Sequence, residues 1–353
     1  MGVEMDVISL WNEYGMEEIN KSLSEFFPDI EWNLKELFSR ILSGDVWGAL
    51  TLFGKQFLMS VGQHTQGLKS MIVWLFILGL LSAVFVHFGD IFENHQISEL
   101  SFYFLYLLLI SVLVRGYMEM SQIAEETVTN IVLFMKVFIP AYLISVGAAS
   151  GSATAYGYYQ IMMLLLYGME NVLKLFILPL INCYIFLVFM NGMWGEDRLV
   201  MLMECVKKVI SYGIKLAIGA ITGVSLFQSM LLPAVDSLKN TTLQKAVGAI
   251  PGIGDAADGI AQIVMGSAVL IKNSIGVIIL LLLLVLCAIP ILKIMLIAWT
   301  LKGCAAVMGL AGDKRICECT DYIGEGGLLL LKTTLTVLAL FMIVVAIAAY
   351  SIK

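Results

Sequence analysis

Residues 70–89 read SMIVWLFILGLLSAVFVHFG, twenty positions without one Asp, Glu, Lys or Arg. About 20 apolar residues in helical form cross the hydrocarbon core of a bilayer, so this stretch predicts a membrane-spanning helix. Six further runs obey the same rule. Residues 100–118 contain only Arg115 as a charge, and residues 129–149 only Lys136. Residues 172–194 contain Lys174, 213–235 Lys215, 273–301 Lys293 and 328–351 Lys332. Two segments are ambiguous: 150–169 begins with small polar residues, and 259–271 is too short to cross alone. Each reads as a membrane helix, a half-helix or a re-entrant piece. The expected fold class is therefore all-α, a polytopic helical membrane protein with about seven (seven to nine) transmembrane helices.

The composition agrees. Of 353 residues, 60% are hydrophobic and 14% charged, against about 45–50% and about 25% in soluble domains. A net charge of −6 argues against nucleic acid as a partner, which would need a basic stripe. There is no P-loop and no zinc-protease helix signature. His64, His87 and His95 form no metal motif. Cys183 and Cys287 lie inside apolar runs, where cysteine packs as a small hydrophobe. Cys317-Glu318-Cys319 lacks the further ligands of a four-coordinate site. No metal, no cofactor and no enzymatic activity are expected.

Residues 1–68 form an acidic N-terminal region distinct from a polytopic domain at 69–353. Within it, PDIEWNLKELFSRILSG (28–44) reads as an amphipathic helix. Asp29 can cap it, Ile30, Leu34, Leu37, Phe38 and Ile41 share one face, and Gly44 can end it. The more apolar VWGALTLFGKQFLMSVG (46–62) comes next. Both pieces fit a helix lying flat at the membrane surface or an ordinary small helical cap. The opening MGVEMDVISLW has neither the basic start nor the apolar stretch of a secretory signal.

One motif poses a chemical question. KAVGAIPGIGDAADG (245–259) contains Gly-Ile-Gly-Asp, a pattern that can carry one aspartate of an intramembrane protease. That chemistry needs two carboxylates sharing a proton among apolar helices. Every aspartate here reads as lying in a loop or at a span end. The turn reading wins: Pro251 fixes its entry, Gly252 and Gly254 supply positive φ, and Asp255 can cap the apolar helix beginning near Gly259.

Lysines inside spans are costly and mark pathways. Lys136 and Lys272 are the candidates, whereas Lys174 and Lys332 lie close enough to span ends to snorkel. No acidic residue reads as mid-span to pair with Lys136. Gly147/Gly151 and Gly219/Gly223 have the four-residue spacing that lets helices approach closely. Such contacts serve packing within one chain or a homo-oligomer.

The chain also shows a candidate internal repeat, units 131–213 and 224–324, with a final helix at 328–351. LFMKVFIPA (133–141) parallels LFQSMLLPA (226–234), Pro179 parallels Pro290, and GEDR (195–198) parallels GDKR (312–315). Chance likeness between leucine-rich helices is the alternative. Basic residues cluster in 193–215 and 293–326, which places both as cytoplasmic loops. That arrangement favours parallel rather than inverted units.

The succession KAVGAIPGIGDAADG, GSAVLIKNSIGVIILLLLLVLCAIPILKI and a last apolar helix resembles the stage III sporulation protein AE family of endospore formers. The resemblance implies a subunit of an envelope-spanning, channel-like or secretion-like complex between mother cell and forespore. It implies residence in the mother-cell membrane around the forespore, with the other stage III A sporulation proteins as partners. Stage II sporulation protein Q would meet that complex from the forespore side. Family members usually begin with a signal sequence, so the side on which residues 1–68 lie stays open. Against this reading stands a stand-alone secondary transporter, suggested by repeats, proline-broken helices and intramembrane lysines.

Overall fold

The computed structural model describes residues 48, 51, 65–92, 95–150, 152–194, 198–247, 283–284, 287–310 and 313–350. Every regular element among them is helical. In chain order, α1 is Thr65–Phe92, α2 is His95–Ser150 and α3 is Ser152–Val172. A π-helical turn, Leu173–Ile177, joins α3 to α4, Leu178–Trp194. Then come α5, Val200–Val247, α6, Cys287–Met308, and α7, Lys314–Tyr350.

The first expected span, 70–89, lies inside α1. Elsewhere the helices are longer than the apolar runs. The runs 100–118 and 129–149 are two parts of α2, which has 56 residues and a length of about 84 Å at 1.5 Å per residue. The intervening EMSQIAEETV (119–128) has no Gly or Pro to stop a helix. It adds a Gln122–Glu126 hydrogen bond of 2.8 Å one turn apart. Its Met120, Ala124 and Val128 are buried and continue to Ile131 on the same face. A polar outer face on a helix that keeps its inner stripe looks like a loop in hydropathy alone.

The ambiguous segment 150–169 is resolved the same way. Residues 152–169 belong to α3, which runs on through the π turn into α4 without a break. Pro179 lacks an N–H and its ring crowds the carbonyl four residues earlier. The wider turn just before it, closed by Leu178 N–H on the Leu173 carbonyl, takes up that conflict. The basic stretch from 200 to 215, expected as a loop, is the start of α5. The last helix begins at Lys314 rather than 328.

Four of the described helices are long and apolar enough to cross a membrane: Phe102–Lys136, Met163–Trp194, Cys287–Met308 and Lys314–Ile343. Lys69–Val84 is apolar but shorter. The expected seven to nine counts the whole chain, whereas these four are counted among the described residues, where the runs 100–118 and 129–149 fall in one helix. The segment 259–271 lies outside the described residues.

α7 packs against α2, α4 and α5, and three glycines bring neighbours close to its axis. A Cβ at Gly324 would lie 3.1 Å from the Ala298 carbonyl of α6. One at Gly326 would strike Ile185 of α4, and one at Gly327 would come within 2.5 Å of the Met120 sulfur of α2. A larger residue at any of the three would force a neighbour to shift, because three helices converge on one short stretch. The turns after α4 and α6 lie at one end of the bundle, as Tyr106 shows by reaching both the Phe189 carbonyl and Cys319. Helices alternating up and down put them there with or without a duplication, so the repeat remains an expectation.

Candidate functional site

The chemistry-bearing residues gather on the first turns of α7. Asp313 starts the helix: its Oδ1 accepts the Arg315 N–H at 2.8 Å, as an N-cap does. Its own N–H donates to Ser82 Oγ of α1 at 3.1 Å. The same carboxylate takes the Arg315 guanidinium through Nε at 3.3 Å and Nη2 at 3.2 Å. That guanidinium lies 3.4 Å from the ring centroid of Phe102 in α2, a planar cation over an aromatic face. The start of α7 is thereby tied to α1 and α2.

Higher on the helix, two carboxylates one turn apart each find a lysine on a different neighbour. Asp321 Oδ1 accepts from Lys302 Nζ of α6 at 2.7 Å. Glu325 Oε1 pairs with Lys207 of α5, and its Oε2 accepts the buried Tyr184 O–H of α4 at 3.1 Å. Four helices therefore meet through one polar network. Lys207, Glu325, Lys302 and Asp321 keep 39%, 26%, 33% and 45% of their side-chain surface exposed, so the network opens outward. A small pocket beside it is lined by Asn191, Arg315, Glu318, Cys319 and Tyr322, among others.

A second cluster lies toward the other end. Glu170 of α3 accepts from Lys136 of α2 at 3.5 Å and from Lys174 of the π turn at 3.1 Å. This corrects the expectation that Lys136 has no acidic partner. Continuity of α3 with α4 places Glu170 inside the span Met163–Trp194. Asp321 lies in the charged first turns of α7, toward one end of Lys314–Ile343. Its partner is Lys302, not the second carboxylate that aspartyl protease chemistry needs.

Of the other expected site residues, Gly219 and Gly223 lie exposed on α5, with nothing within 4 Å of where a Cβ would lie. Among the described residues the chain does not pack on that face itself. Gly147 lies in α2. Gly151, Pro251, Gly252, Gly254, Asp255 and Lys272 lie outside the described residues. Cys317 and Cys319 are both buried, and no group of three metal-capable side chains occurs among the described residues.

Sequence reasoning missed Tyr184, Lys207, Lys302, Asp321 and Glu325. A signal for Asp321 and Glu325 was present in Lys314, Glu318, Asp321 and Glu325 at steps of four, three and four, the period of one helix face. Tyr184, Lys207 and Lys302 had none.

Among the described residues, long apolar helices linked by part-exposed ion pairs make an all-helical architecture suited to a membrane. The chain belongs to the stage III sporulation protein AE family, whose model matches residues 32–351. It is 22% identical over 338 residues to the stage III sporulation protein AE of Bacillus subtilis (strain 168), covering 92% of this chain and 79% of that protein. No solved structure gives a significant match.

Proposed function

We propose that this protein is an integral subunit of the trans-envelope complex that joins mother cell and forespore and sustains late forespore gene expression. The observation that carries this reading is the family match over nearly the whole chain. The proposed place is the mother-cell membrane around the forespore. The proposed partners are the other stage III A sporulation proteins and, through them, stage II sporulation protein Q. An exposed face of α5 carrying Gly219 and Gly223 supports a role in assembly, because small residues let another helix approach.

Removing the protein from sporulating cells should leave engulfment intact and silence a late forespore reporter. A tagged copy that restores the reporter should co-purify the other stage III A proteins. Normal reporter activity without the protein would reject the reading. A secondary transporter is the second reading, favoured by Glu170 between Lys136 and Lys174 within the apolar helices. It predicts solute uptake by the purified chain alone in vesicles, which the subunit reading does not.

A further inference from the structure

α7, which like the middle of α2 carries charge on its outer face, is organised differently from α4 and α6. One of its stripes is buried and carries no charge: Ile316, Thr320, Ile323, Gly327, Leu330, Thr334, Val337 and Phe341. The opposite stripe begins Lys314, Glu318, Asp321, Glu325, passes Leu328, and reaches the exposed Lys332. Glu325, Leu328 and Lys332 carry this stripe into the apolar part of the helix.

On α4 the outward residues at the same height are of the opposite kind. Phe186, next to the Ile185 that meets Gly326, is exposed. On α6, Trp299 is exposed beside the Ala298 that meets Gly327. These are side chains suited to lipid. Asp321 and Glu325 are not, since a part-exposed ion pair placed against acyl chains loses its hydration with little return. One pair also satisfies only one of a lysine's three N–H donors.

We infer that the outward face of α7, with Lys207 of α5 and Lys302 of α6 at its sides, borders water within the depth of the membrane and forms one hydrophilic wall of an aqueous crevice. The wall is electrically mixed along its middle, with Lys207 and Lys302 balancing Asp321 and Glu325. It belongs to this chain alone and needs no partner to exist, so it stands apart from the assembly reading.

The test is cysteine reactivity in membranes holding the full chain without partners, opened so that an impermeant thiol reagent reaches both sides. Cys183 and Cys205, which are exposed, are first replaced by Ser. The wall is probed by Asp321→Cys and by Lys332→Cys, which leaves both ion pairs untouched. Phe186→Cys and Trp299→Cys serve as references at the same height. Only a hydrated thiol ionises and reacts readily, so the wall positions should react about tenfold faster or more than the references. Equal rates at all four positions, whether fast or slow, would overturn the inference. Fast rates place this whole level outside the hydrocarbon, and slow rates mean the face is sealed.

Discussion

α4, which with the π turn and the end of α3 makes up one candidate span, lies side by side with α7, which makes up another, yet they solve opposite problems. α4 turns Leu180, Ile181, Tyr184, Ile185 and Val188 toward its neighbours and leaves Phe186 and Trp194 outside. It is apolar on nearly every side, as a lipid-bathed helix can be. α7 is the most buried of the four spans, and its least buried stripe is charged. Apolar content alone therefore does not reveal which helix sits at the centre of this bundle. The central helix is the one whose glycines admit three neighbours and whose carboxylates hold two of them.

The largest effect should come from filling the crossing on α7. Gly326→Val places side-chain atoms on Ile185 and beside Tyr184, and overpacking costs about 1–3 kcal/mol. Recovery of folded protein in mild detergent should fall several-fold. Gly219→Val, on a face with nothing within 4 Å, should leave recovery unchanged. Equal losses would break the comparison by showing that α5 is as tightly packed as α7.

A smaller effect belongs to charge. Glu325→Leu strands Lys207 and removes the acceptor of Tyr184. Because Lys207 and Glu325 are partly exposed, the loss should be about 1 kcal/mol rather than the several expected of a fully buried pair, read as a lower melting temperature. The smallest effect should come from α4. Phe186→Leu keeps an apolar, outward side chain and should stay within about 0.5 kcal/mol of the parent.

Much of this architecture was legible in the sequence. The run 70–89 lies inside α1, and 172–194 coincides with the π turn and α4 except for its first residue. What hydropathy could not show was continuity. EMSQIAEETV reads as a loop because its outer residues are charged, although Met120, Ala124 and Val128 keep the inner stripe. DKRICECTDYIGEGG (313–327) reads as a loop for two reasons, its charge and its three glycines. Those glycines serve close helix approach, not a turn. Partners on other helices, such as Lys207 for Glu325 or Glu170 for Lys136, depend on tertiary placement that no local pattern encodes.

α7 is clamped across α5 by the Glu325–Lys207 pair, and exchanging the two charges tests this most directly. Lys207→Glu alone sets two carboxylates together, and Glu325→Lys alone sets two ammonium groups together. Each should lower the melting temperature of the purified full chain. The double variant restores an ion pair in reverse and should recover most of the loss, a coupling of about 1 kcal/mol. If the double variant shows the sum of the two single losses, α7 does not meet α5 through these residues and the placement of the central helix is wrong.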